Sequence, residues 1–348
     1  MIKKIGYAPA KYKAWIRMAA MLTLLALLIT CLASCGKKND KDFEYPVRTV
    51  SDDAKEKSFG SYKYTEFNDG TLMLTEYSGN EEYITIPDKI DGKNVIALAA
   101  DLFYDKTNIK SVKLGKYTEM IGDYCFAGCT ALYSVELLDK VWSIGARAFD
   151  GTAWLSAKSD EFVIVGDGVL IKYNGDAAYV EIPDSVKHIG GAFELNTNVT
   201  YVRIPDSVYT IGSYSFFGCE RLCAVDIGSR VQYIGVSAFN DCAKLAAIEF
   251  PDSLKYIDTY AFAYALSLTS VRLGSSVKYV GDSSFYCCTL LNTLYIPRSC
   301  VNIEPYTFAD CYGLELVFYE GTEEEFNALG LDYQNYILLD AHKIYNAK

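Results

Sequence analysis

The residue types able to do chemistry are unevenly supplied: this chain of 348 residues has 11 cysteines and 29 tyrosines but only two histidines, His188 and His342. General-base catalysis by histidine therefore has little to draw on. The cysteines pair by spacing as Cys125 with Cys129, Cys219 with Cys223, and the adjacent Cys287 and Cys288. None of these is a common zinc spacing, and no HExxH, GxSxG, Walker-type loop or dinucleotide glycine pattern occurs. No metal or cofactor is expected, and the chain is not expected to be an enzyme. Carboxylates are plentiful but evenly scattered, which suits a solvated face better than a paired acid and base. Only a pair assembled in space is left open.

One cysteine stands in a different context. The first seventeen residues hold Lys3, Lys4, Lys11, Lys13 and Arg17 with no acid, and Met18 to Ile29 are apolar apart from Thr23. That is a charged n-region followed by an h-region too short for the roughly 20 residues of a spanning helix. Leu32-Ala33-Ser34-Cys35 follows and resembles the lipobox of bacterial lipoproteins, in which the cysteine becomes the lipid-bearing first residue. The resemblance implies an exported protein with a signal peptide over 1–34, touching the membrane through its lipid alone. Residues 35–60 are charged and read as a lipid-anchored flexible tether.

The other cysteines follow a period. Val202-Arg-Ile204-Pro-Asp-Ser-Val208 leads to Ile211-Gly, Phe216, Cys219 and Leu222, and the frame returns with Ile234, Phe239, Cys242 and Leu245. Ile257 and Phe262, then Val280, Phe285 and Cys288, then Ile303, Phe308 and Cys311 continue it at a step of 23 residues. Upstream it holds at Ile121, Phe126 and Cys129 and at Ile144 and Phe149, with a degenerate copy around Ile84, Ile86 and Pro87. Five cysteines thus fall three residues after the repeat phenylalanine and read as small buried spacers. Thiols in neighbouring copies would come near disulfide distance, although an unlinked ladder is the expectation.

Each copy offers a short strand ending at Ile-Pro, a second extended piece ending at Ile-Gly, and a phenylalanine turn. One copy cannot bury its own apolar side, so copies must stack about 4.8 Å apart, and some nine of them give a rod on the order of 40 Å long. Between Leu137 and Ile182 the frame is broken by an insertion at about 156–178, where Asp167-Gly168 and Asn174-Gly175 between β-branched runs predict tight hairpin turns. Strand-like pieces around Asn68-Asp69-Gly70 cap one end. At the other, Thr322-Glu-Glu-Glu325 predicts a capping box opening a short helix, with a last strand over Leu338 to Tyr345.

The repeated Ile-Pro…Ile-Gly…Phe…Cys…Leu frame resembles the BspA-like leucine-rich-repeat family of bacterial surface proteins. The resemblance covers about residues 60 to 348 and implies a β-rich leucine-rich-repeat solenoid over 61–320, with an inserted hairpin and a C-terminal cap over 321–348. It also implies a non-catalytic extracellular protein that binds host matrix or other cells, displayed on the cell surface by its anchor. An envelope structural protein is the bland alternative. Removing the leader's five basic residues leaves 28 basic against 44 acidic, about −16, so nucleic acid is a poor partner.

A ligand face should lie on the variable strand positions. Lys113, Glu136, Glu181, Arg203, Asp226, Glu249, Arg272 and Tyr295 alternate in sign along the first strands, which reads as a surface of cross-strand ion pairs. Tyr233, Tyr256 and Tyr279 occupy the position just before that of the Ile-Gly isoleucine, filled by Ile234, Ile257 and Val280, in three successive copies, with Trp142 and Tyr209 in the column before. Stacked strands would align them as a ladder for an extracellular protein, or for a glycan if the protein is a sugar-binding accessory. Changing Cys35 to Ala should move the protein from the membrane to the soluble fraction of cells; a variant that still sediments with membranes removes the anchor.

Overall fold

A computed structural model describes residues 43–50, 55–331 and 333–347. The leader, the lipobox and Cys35 lie outside the described residues. The rest is a parallel β-solenoid in which each repeat gives one strand to each of two sides. On the first side, Tyr83–Thr85, Ser111–Lys113 and Ser134–Glu136 form one sheet, Tyr179–Glu181 to Ala247–Ile248 a second, and Ser270–Arg272 to His342–Tyr345 a third. The second side holds a sheet running to Ser143–Ile144 and an eight-stranded sheet from Phe162–Val165 to Asn302–Ile303. Pairing is in register with the repeat: Ile211 faces Ile234, Ile257 faces Val280, and Val280 faces Ile303.

The phenylalanine turns make the spine. Phe193, Phe216, Phe239, Phe262, Phe285 and Phe308 stack with ring centroids 4.9 to 5.4 Å apart and planes within 12° of parallel. That spacing is close to the roughly 4.8 Å between strands, so ring stacking and strand pairing are satisfied by one translation. The cysteines lock the turns together: the thiols of Cys219, Cys242, Cys288 and Cys311 donate to the carbonyls of Phe193, Phe216, Phe262 and Phe285, one turn earlier, at 3.1 to 3.3 Å. Cys129 does the same to Phe103 at 3.0 Å. The nine described cysteines are all unlinked, with Cys223 exposed. The Ile-Gly glycine permits the close approach of adjacent turns; a Cβ on Gly235 would lie 2.7 Å from the Ser213 nitrogen.

The insertion interrupts this spine and separates the two large core clusters, while a small third one, of Phe67, Met73, Ile96 and Ala97, lies towards the first end. Phe149 ends one stack against Trp154 at 4.7 Å, and Phe193 begins the next against Tyr173 at 4.9 Å. Val163 of Phe162–Val165 and Leu170 of Val169–Tyr173 are buried; the two strands form the expected hairpin around Asp167-Gly168. Asn174-Gly175 is not a second hairpin turn, because Val169–Tyr173 pairs onward with His188–Ile189 in the solenoid sheet.

The ends also close as strands and helix. Leu72–Tyr77 pairs antiparallel with Tyr62–Glu66 and parallel with Lys93–Leu98. Thr322 and Glu325 form the reciprocal capping box of the helix Glu323–Asn327. Leu338 departs from the expected strand: it is buried in the helix Tyr336–Asp340, and the last strand starts at His342. Phe239→Ala should cost about 3–5 kcal/mol by opening a gap in a continuous ring stack. Cys242→Ala, which removes one thiol donor and little volume, should cost about 1 kcal/mol. Guanidinium unfolding of the two variants checks the order, and equal losses would show that the rings are not the spine.

Candidate functional site

The first-strand side is the ion-paired surface expected. Lys113 lies 3.7 Å from Glu136 and Arg203 3.9 Å from Glu181, while Arg272 sits over the Tyr295 ring at 4.0 Å. Tyr179 stacks on Tyr201 at 4.8 Å. These exposed contacts are each worth little, and they lace the surface together.

The recess is on the other side. A groove of about 1360 Å³ runs along the second-strand columns and the adjoining turns, from Met73 and Ala97 to Tyr306. Trp142 and Tyr233 of the predicted ladder line it. The register of Tyr233 with Tyr256 and of Tyr256 with Tyr279 places the three in one column, and all three are half-buried. Burial lifts the Tyr233 and Tyr279 hydroxyls well above the ordinary phenol range. Tyr233 donates to Asp258 Oδ2 at 2.7 Å, and burial raises that carboxyl against this bond and the one from the Thr259 N–H.

Trp142, Tyr209, Tyr233 and Tyr256 are brought together by a segment that sequence reading had as solvated tether. Phe43 packs 5.4 Å from Trp142, 5.0 Å from His188 and 5.0 Å from Tyr209. Tyr45 stacks on Tyr233 at 4.3 Å and 7° and lies 6.1 Å from Tyr256. The Gln232 side chain accepts from the Tyr45 N–H at 3.2 Å and donates to the Phe43 carbonyl. Arg48 meets Asp69 at 2.9 Å and Glu119 at 3.0 Å, and Val50 bridges to Phe67. Residues 43–50 are thus a strap laid in the groove, because two aromatic rings in an otherwise charged run find apolar partners there. Tyr279 stands one copy further along the column, in register with Tyr256.

On the turns alongside the strap the groove displays a tyrosine column that sequence reading missed. Tyr214, Tyr260 and Tyr306 stand three residues after the second-strand isoleucines Ile211, Ile257 and Ile303, all with left-handed backbones at φ 56°, 55° and 56°. The repeat turn demands that conformation, which costs a residue with a Cβ roughly 1–2 kcal/mol and suits Gly, Asn or Asp better. Ser237 and Ser283 occupy the intervening copies, so an alternation of Tyr and Ser was available to a position-by-position alignment. Asp241 and Asp282 line the same stretch, each with its carboxyl raised by burial.

His188 is a buried polar group of the groove. It is 2% exposed, its Nδ1 shares a 2.9 Å hydrogen bond with Thr210 Oγ1, and its Nε2 is buried without a partner. Burial lowers its pKa to about 4, with nearby Asp167 opposing and Lys187 assisting. Among the described residues no group of three or more His, Cys, Asp or Glu is placed to hold a metal ion, and no helix is long and apolar enough to cross a membrane.

Because His188 gains a proton more readily when exposed, its contribution to stability falls as pH drops from about 6.5 towards 4. Asp123, lifted to about 6 by burial, contributes with the opposite sign over much of that window, so the ring's own NMR resonance is the readout. His188 should titrate with a midpoint near 4, and Phe43→Ala should move it towards 6.5. A midpoint unmoved by Phe43→Ala would show that Phe43 does not shield the ring.

The sequence matches the family described as BspA type Leucine rich repeat region, in six copies over residues 96–193 and 187–315. No curated protein matches it. Solved structures to which the chain is similar include a leucine rich cell surface protein from Faecalibacterium prausnitzii A2-165, at 21% identity and TM-score 0.38, over 80% of this chain and 98% of that one. A leucine-rich repeat protein from Bacteroides ovatus is 20% identical, TM-score 0.35, over 85% and 99%. The pneumococcal vaccine antigen PcpA is 17% identical, TM-score 0.39, over 78% and 89%. With its repeats matched over more than half its length, the chain belongs to the BspA-type leucine-rich-repeat family.

Proposed function

We propose that this protein is exported, anchored to a bacterial membrane through a lipid on Cys35, and displayed at the cell surface, where its solenoid binds a protein partner without catalysing a reaction. The lipobox-like Leu32-Ala33-Ser34-Cys35 and its leader support the anchor, and the surface location named for the Faecalibacterium protein agrees with display. The observation that carries the reading is the long groove whose floor is built from repeated side chains, with tyrosines kept at backbone positions where Asn or Gly would be less strained. Strain retained in register along a recess suggests residues held for what they present. Tyrosine is suited to this, combining a rigid apolar face with a polar tip.

A glycan is the second reading, favoured by one observation. Tyr214, Tyr260 and Tyr306 recur every second repeat, about 9.6 Å apart by strand spacing, and could stack on alternate sugars of an extended chain. Changing all three to Asn separates the possibilities without unfolding the turns, since Asn accepts the left-handed backbone. Partner capture by crosslinking on intact cells should fall at least tenfold, while the unfolding temperature holds or rises. Capture that survives both this triple change and Tyr233, Tyr256 and Tyr279 to Ala would remove the groove as the binding face. Retention on a glycan array, with no protein captured, would select the sugar.

A further inference from the structure

We infer that the part of the groove between Trp142 and Tyr256 is a receptor site for an extended peptide carrying two aromatic side chains separated by one residue, and that Phe43 to Pro46 is its resident occupant. This deepens the protein-binding reading and rests on it. The recognition is of main chain as much as of side chains: the single amide of Gln232 takes the Tyr45 N–H and gives to the Phe43 carbonyl, a pair of groups that any extended peptide presents in the same register. In an extended chain, residues two apart point the same way. Phe43 and Tyr45 accordingly both enter the groove, the first among Trp142, His188 and Tyr209 and the second flat on Tyr233.

The intervening and following residues fit the same mode. Glu44 lies 3.5 Å from Lys255, giving the site one cation for an acidic residue between the aromatics. Pro46 keeps Tyr45 extended and brings no N–H of its own to be satisfied. The resident is also an imperfect occupant. His188 Nε2 is buried beside the Phe43 ring with no hydrogen-bond partner, and phenylalanine can offer it none. A peptide with tyrosine in the first position carries the hydroxyl that phenylalanine lacks. Such a peptide can displace a tethered strap despite the millimolar effective concentration that tethering confers.

The test uses the full chain and a fluorescein-labelled peptide of residues 42–50, read by fluorescence anisotropy. The strap-released variant Phe43→Ala/Tyr45→Ala should bind the peptide at least tenfold more tightly than the unaltered protein, and adding Gln232→Ala should abolish the gain. The same peptide with tyrosine at its Phe43 position should bind several-fold tighter again; equal affinity would overturn the contact to His188. Migration of the His188 midpoint towards 6.5 certifies that the strap has left a folded groove. If it has left and the peptide binds no better than to the unaltered protein, the strap is only a structural splint and the receptor site is overturned. An unmoved midpoint overturns it too, since the strap would then not cover the ring. Partner capture lost on changing Tyr214, Tyr260 and Tyr306 tests the broader reading independently, because the ring contacts that seat the strap are made with Trp142, His188, Tyr209, Tyr233 and Tyr256 instead.

Discussion

One coincidence of lengths governs the molecule: parallel strands repeat at about 4.8 Å, and flat aromatic rings stack at nearly the same interval. A 23-residue unit that places one phenylalanine per turn can therefore pair its backbone and stack its rings without compromise, as Phe193 to Phe308 do. A single turn has no way to bury that ring. The neighbours on either side supply the missing surface, and the thiol three residues later donates to the preceding turn's carbonyl. Small residues at the cysteine position follow from this geometry, since a larger side chain would hold adjacent turns apart.

Fixed register on the inside imposes fixed register on the outside. Every variable position becomes a column, so a local choice repeated along the sequence becomes a continuous surface. On the first strands the columns alternate in charge and give a laced face. On the second strands and turns they give tyrosines, carboxylates and a groove. The two sides differ in chemistry although one repeat builds both, which separates the load of holding the rod together from the freedom to present a surface.

The periodic part of this was legible. The 23-residue step showed the inward Ile, Phe, Cys and Leu, and the hairpin at Asp167-Gly168 and the capping box at Thr322 were readable because local turn and cap chemistry decides them. The failures were all departures from local rule or from period. Asn174-Gly175 looks like a turn, but the strand before it finds a solenoid neighbour at His188–Ile189 and a hairpin is not needed. Leu338 has a strand-like context, yet it is buried in a closing helix. The Tyr214, Tyr260 and Tyr306 column was hidden because a left-handed tyrosine is not what turn chemistry leads one to seek. Phe43 and Tyr45 were hidden most deeply: they lie outside any repeat, within a run whose average composition is that of a tether, and their contacts are far away in sequence, from Trp142 to Tyr256.

That strap changes how the rod should behave as a mechanical object. In an uninterrupted solenoid each turn couples only to its neighbours, so strain and unfolding spread turn by turn. Here the insertion has already cut the ring stack between Phe149 and Phe193, leaving two cores that meet at a seam. Residues 43–50 cross it: Arg48 pairs with Asp69 and Glu119 on one side, Phe43 bridges Trp142 to His188 and Tyr209, and Tyr45 reaches Tyr233 on the other. The strap thus adds a long-range tie across the point where the periodic contacts are weakest. Occupying the groove and joining the two cores are then one act, and anything that displaces the strap loosens the seam as it opens the groove.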